Sequence, residues 1–234
     1  MANKTSDSCY GLVILAVLCI GCAAWAQSKS DRNPQLVIAV YDDAGVAPDT
    51  VLRAETQASH VFQEAGIRVL WRNPLWEAHA ELQPVAMLMV RVVPHSRDLE
   101  GEIFGLAFLD EDRSGRQADI FYDRIAKLGV SPAQDRAVLL SAVMAHELGH
   151  LLLGPHAHTA TGIMQARWDE ATLRRVAHGL IGFSAEQDAR MRAWVEEVEG
   201  VELNAKVRDE GPESTTRTQP PTRGAEGVVL RAAR

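Results

Sequence analysis

Residues 138–153 read VLLSAVMAHELGHLLL, a run apolar nearly all round that nevertheless carries two histidines and a glutamate. A helix of that composition belongs in a protein interior. Burying a carboxyl group and two imidazoles there is costly unless something satisfies them. His146 and His150 are four residues apart, so they share one helical face and their ring nitrogens can converge on one cation. Glu147 stands about 100° round the helix from His146, within reach of a water on that cation without ligating it. The bland alternative is a pair of core histidines bonded to backbone carbonyls, with Glu147 paired to an arginine. Further histidines just after the helix weigh against it.

Two imidazoles leave a tetrahedral zinc one protein ligand short. Gly154-Pro155 ends the run and lets the chain turn, and His156 and His158 follow. Either is a candidate third ligand. The stretch His146–Met164 resembles the metzincin clan of zinc peptidases, whose pattern is HExxHxxGxxH followed by a methionine turn. His146, Glu147 and His150 match it directly, and His156 falls at the third-ligand spacing. The clan's glycine position holds Leu153, and the glycine arrives one residue late at Gly154, which delays the turn and brings His158 into consideration. Secreted bacterial zinc proteases resemble this variant, HELGHLLLG with a histidine at the position of His158. Gly162-Ile163-Met164 looks like the methionine turn, while the tyrosine that follows it in some metzincins is absent and Trp168 stands nearby.

The resemblance implies one catalytic zinc held by His146, His150 and either His156 or His158. It implies Glu147 as the base that activates a zinc-bound water, and a peptide or protein substrate paired along the fourth strand, here residues 103–109. Gly105 in that strand suits a close backbone approach. Two other readings remain. A gluzincin arrangement would take its third ligand from a downstream glutamate such as Glu170 or Glu186. A zinc-stabilised binding protein on a peptidase-like scaffold would be catalytically idle.

Around the motif, β-branched and apolar runs predict strands at 35–41, 67–71, 85–93, 103–109 and 118–122, the last short and edge-like. An amphipathic pattern predicts a helix over 49–65, stopped by Gly66. The motif helix is expected to start at Ser131, with Pro132 and Gln134 suited to its first turn, and to stop at Gly154. Two more helices are expected at 169–178 and 184–198. The resulting expectation is an α+β, metzincin-like fold: a twisted, mostly parallel sheet of about five strands with two long helices (27–154), then a small helical subdomain (155–200). Beyond Gly200 the chain turns polar and Pro-rich, and residues 201–234 read as a disordered tail.

The N-terminus reads as a targeting segment. Lys4 precedes the apolar run 11–21, and Ala24-Trp25-Ala26 offers a signal-peptidase site, so 1–26 is expected to be a cleaved signal peptide and the protein secreted or periplasmic. An uncleaved membrane anchor is the alternative. All three cysteines (Cys9, Cys19, Cys22) lie in this segment, so any metal must be held by histidine and carboxylate. The chain's net charge of −7, without a basic run, argues against nucleic acid or an anionic membrane as partner. With no cysteine left to plug a metal after cleavage, activity is expected to be limited by export or by substrate access.

Overall fold

Strand β1 (Gln35–Asp42) lies at the centre of one half of the sheet, its residues Leu36–Val40 buried. It pairs in parallel with β2 (Arg68–Arg72) on one side and with β3 (Met87–Val93) on the other. Parallel neighbours need a crossover, and helix α1 (Pro48–Glu64) supplies it between β1 and β2. The computed structural model describes residues 33–73, 87–96, 103–110, 115–128, 135–209 and 226–232 of the chain. The expected signal peptide and the capping residues Ser131 to Gln134 lie outside them.

α1 buries Val51, Ala54, Ala58 and Phe62, a stripe at helical spacing, while Leu52 is 61% exposed. The helix ends where Gly66 takes φ 76°, as its sequence position suggested. Glu55 on this helix is half-buried, and loss of hydration pushes its carboxyl up to about 7. A folded-state pKa above the unfolded one means that ionisation opposes folding, so this destabilisation is absent below pH 4.5 and complete above about 7. Glu55→Gln is therefore expected to raise Tm at pH 8 and to change it little at pH 4.5, a difference that thermal unfolding at the two pH values measures.

β3 pairs in parallel with β5 (Gln117–Phe121), and β4 (Ile103–Leu109) runs antiparallel to β5. The strand expected at the edge, β5, is thus interior, because the chain crosses from β3 over β5 to form β4 and then turns back. A short helix, α2 (Tyr122–Leu128), follows directly and buries only Ile125. One long helix, α3 (Arg136–Leu153), then packs across β3, β4 and β5 and against α1. Every residue from Leu139 to Leu153 is buried, which bears out the interior position inferred from its composition. Its N-cap is Asp135, whose carboxylate accepts from Ala137 N–H at 2.9 Å and pairs with Arg53 of α1.

After α3 come a two-residue strand β6 (Arg167–Trp168), α4 (Glu170–Ala177) and α5 (Ala185–Asp209). The fold is α+β, with a mostly parallel sheet in which β4 runs against the other strands, and five helices among the described residues.

The structure departs from the sequence reading beyond Gly200. α5 continues to Asp209, and Glu226–Ala232 forms strand β7, so the tail expected to be disordered contributes to the sheet. β7 inserts between β4 and β6, giving the order β2-β1-β3-β5-β4-β7-β6. The reason is local: Val228-Val229-Leu230 is a strand-forming triplet that the polar, Pro-rich average of the tail conceals.

Candidate metal centre

The late glycine sets the geometry of the centre. Gly154 ends α3 at φ 89°, a left-handed conformation in which its N–H bonds back to His150 O at 2.8 Å. Its carbonyl is turned onto the His150 ring, 3.3 Å from Nδ1. The Nδ1 of His146 lies 2.8 Å from the carbonyl oxygen of Ile163. Each ring therefore donates from Nδ1 to a carbonyl, which leaves both Nε2 lone pairs free.

Those lone pairs point at each other. His146 Nε2 and His150 Nε2 are 3.1 Å apart, and His158 Nε2 stands 3.0 Å from that of His150. The donor atoms of His146, His150 and His158 all lie within 4.8 Å of one another. Three acceptors facing inward repel unless a cation or shared protons lie between them. Nitrogens on a tetrahedral zinc at about 2.0–2.1 Å would be roughly 3.3 Å apart, close to the separations of His150 from His146 and from His158. Protons are a poor alternative. Burial, with the neighbouring imidazoles, holds His146 well below the usual histidine range and His150 at about 4; burial also lowers the half-buried His158. Three neutral imidazoles are what a divalent ion requires.

His156 is exposed and takes no part in this group. Of the two histidines that the sequence left open, the structure brings His158 to the centre. Glu170 and Glu186 are also exposed and outside the group, and Glu170 pairs with Arg174 at 2.7 Å.

Glu147 is fully buried, and neither carboxylate oxygen has a hydrogen-bond partner. No arginine meets it among the described residues, contrary to the structural alternative. Burial pushes its carboxyl well above the ordinary range; the Ala107 backbone works weakly in the opposite direction without completing a well-formed bond. A divalent ion nearby would reverse that shift and favour the carboxylate. The side chain lies against β4 at Gly105, where a Cβ would come within 2.7 Å of the Glu147 carboxylate. Glycine is needed there because the strand passes directly over the carboxylate.

Several supporting residues escaped the sequence reading. Gly149 lets Met164 reach the helix between the two histidines; a Cβ would lie 2.5 Å from Met164 Sδ and 2.9 Å from the Phe183 ring. Trp168, fully buried, meets the His146 ring edge-on at 6.0 Å. Gln187 completes a reciprocal cap with Ser184 at the start of α5 and donates to Ala157 O at 2.9 Å, which holds the residue beside His158. The pattern Ser184-x-x-Gln187 was the available signal for that cap. Gly149→Ala gains up to about 1 kcal/mol of helix propensity, but overpacking typically costs about 1–3 kcal/mol. The expected net result is a Tm lower by about 2–6 °C, together with weaker uptake of any metal the three histidines hold, which thermal unfolding and metal competition measure.

No family model matches the sequence, and no curated protein matches it. Among solved structures, the chain is similar to archaemetzincin from Methanopyrus kandleri, at 14% identity and a TM-score of 0.42, over 70% of this chain and 96% of that one.

Proposed function

We propose that this chain is an exported zinc metallopeptidase that hydrolyses peptide bonds, with His146, His150 and His158 as metal ligands and Glu147 as general base. The observation that carries the reading is the convergence of three neutral Nε2 atoms beside a buried carboxylate with no partner of its own. When bound, zinc supplies the Lewis acidity that polarises a scissile carbonyl and acidifies the attacking water.

The chain's own residues supply the rest. Ile163 and Gly154 carbonyls fix the tautomer and tilt of the two helical imidazoles, so the ligands are preorganised. Glu147, next to His146 on the same helix and with both oxygens free, takes the proton from the attacking water and passes it to the departing amine. A carboxylate already bonded to an arginine would lack the free lone pairs for this task. Trp168 and the apolar surroundings of α3 lower the local polarity, which strengthens every charge interaction at the centre.

The test is metal analysis of the purified chain, followed by peptide-library cleavage with and without a chelator. One zinc per chain is expected, with cleavage that stops on chelation and returns on adding zinc. Metal-free protein that will not take up zinc, or cleavage indifferent to the chelator, would sink the proposal.

A further inference from the structure

Strand β4 carries the backbone that passes over Glu147, and its two edges differ. One edge is taken by β5, with Gly105 opposite Ile120 and Ala107 opposite Ala118. The other is the edge on which an extended peptide would lie, since unpaired strand N–H and C=O groups are a ready template for a further strand. That edge is occupied by the chain itself. β7 runs antiparallel to β4 from Glu226, opposite Leu109, to Arg231, opposite Ile103. Val228 stands opposite Ala107 and Leu230 opposite Gly105, the position that lies against the Glu147 carboxylate. The far edge of β7 pairs in parallel with β6, Arg167 opposite Arg231 and Trp168 opposite Ala232. Trp168 is the residue whose ring backs His146. β7 is thus held between the strand over Glu147 and the segment behind His146.

We propose that residues 226–232 act as a built-in competitor of substrate, a C-terminal strand that fills the peptide-binding edge of β4 and must leave before an extended peptide can pair there. This rests on the peptidase reading and adds to it a regulation: the chain's own strand stands where an extended substrate would pair. A segment on the same chain faces its site at an effective concentration of about millimolar, so even weak pairing outcompetes micromolar substrate. The strand comes last in the chain and is joined to the rest only through the connection 210–225, so its release need not disturb the order of the other strands.

The test uses the full chain with Val228→Pro and Val229→Pro together. Successive strand residues direct their N–H groups to opposite sides, so one of the pair removes a donor toward β4 whichever of the two faces it. Zinc content and the circular-dichroism spectrum confirm that the rest of the fold is intact. Hydrogen exchange of the β4 amides on the β7 side is expected to accelerate at least tenfold, and kcat/KM for a chelator-sensitive peptide to rise at least tenfold. Should the proline variant not fold, a recognition site for a sequence-specific protease within 210–225, cut after purification, releases the strand from its tether, and the same two readouts apply. β4 amides that exchange equally fast before and after release overturn the proposal, and so does faster exchange with an unchanged, measurable cleavage rate. If exchange reports release but neither protein cleaves any peptide, the strand contact is supported and the peptidase reading is what fails.

Discussion

Glu147→Gln is expected to keep one zinc per chain and to lower chelator-sensitive cleavage by about a thousandfold, within the range of about 10²–10⁴ typical of a positioned general base. The amide preserves shape and removes the proton acceptor. It also separates catalysis from architecture. In the metal-free protein the carboxyl is buried with no partner and its pKa is pushed upward, so a neutral amide replaces a group already disposed to be neutral. Tm of the metal-free variant should therefore match or exceed that of the parent. Had Glu147 been half of a buried ion pair, breaking it would cost about 3–5 kcal/mol instead. Retention of cleavage within tenfold would remove Glu147 from the mechanism. Absence of cleavage in parent and variant alike, with zinc bound to both, would favour the idle, zinc-stabilised scaffold.

The parts legible in the sequence were those with a single physical demand. α3 could be placed because an all-apolar helix must be buried, and a buried helix must account for its ionisable groups. β1, β3 and β4 followed from β-branched runs, and β4 spans the expected residues end to end. Gly105 was read as a site of close approach, and the structure supplies the partner, the Glu147 carboxylate.

What stayed hidden depends on neighbours far along the chain. Strand order is set by crossovers, so the short β5 looked like an edge although it pairs on both sides. Gly149 carries no local turn signal; its role shows only once Met164 and Phe183 are packed on it. The short Val-Val-Leu run of β7 cannot form a strand by itself, and its partners β4 and β6 lie far back along the chain.

The choice between His156 and His158 was open at the level of spacing, and it yields the second large effect. Gly154 delays the turn by one residue, after which Ala157 is buried and held by Gln187 while Thr159 N–H bonds to Met164 O at 2.9 Å. Two anchors on either side of His158 fix its ring toward His150, and His156 is left in solvent. His158→Ala is therefore expected to weaken zinc binding by more than about a hundredfold, since changing even a residue behind a ligand costs about 10–100-fold. Cleavage at limiting zinc should fall with it. His156→Ala should leave both nearly unchanged, as exposed substitutions usually do. The reverse outcome would mean that the loop refolds around the metal to offer His156. Full zinc occupancy in the double variant would return the third-ligand role to Glu170 or Glu186, and Glu170 would first have to leave Arg174. Because the His150 ring resists protonation down to about 4, acid should release zinc from the parent well below the ordinary imidazole range. A midpoint near 6.5 would show instead that the His150 ring is hydrated, contrary to its burial in the structure.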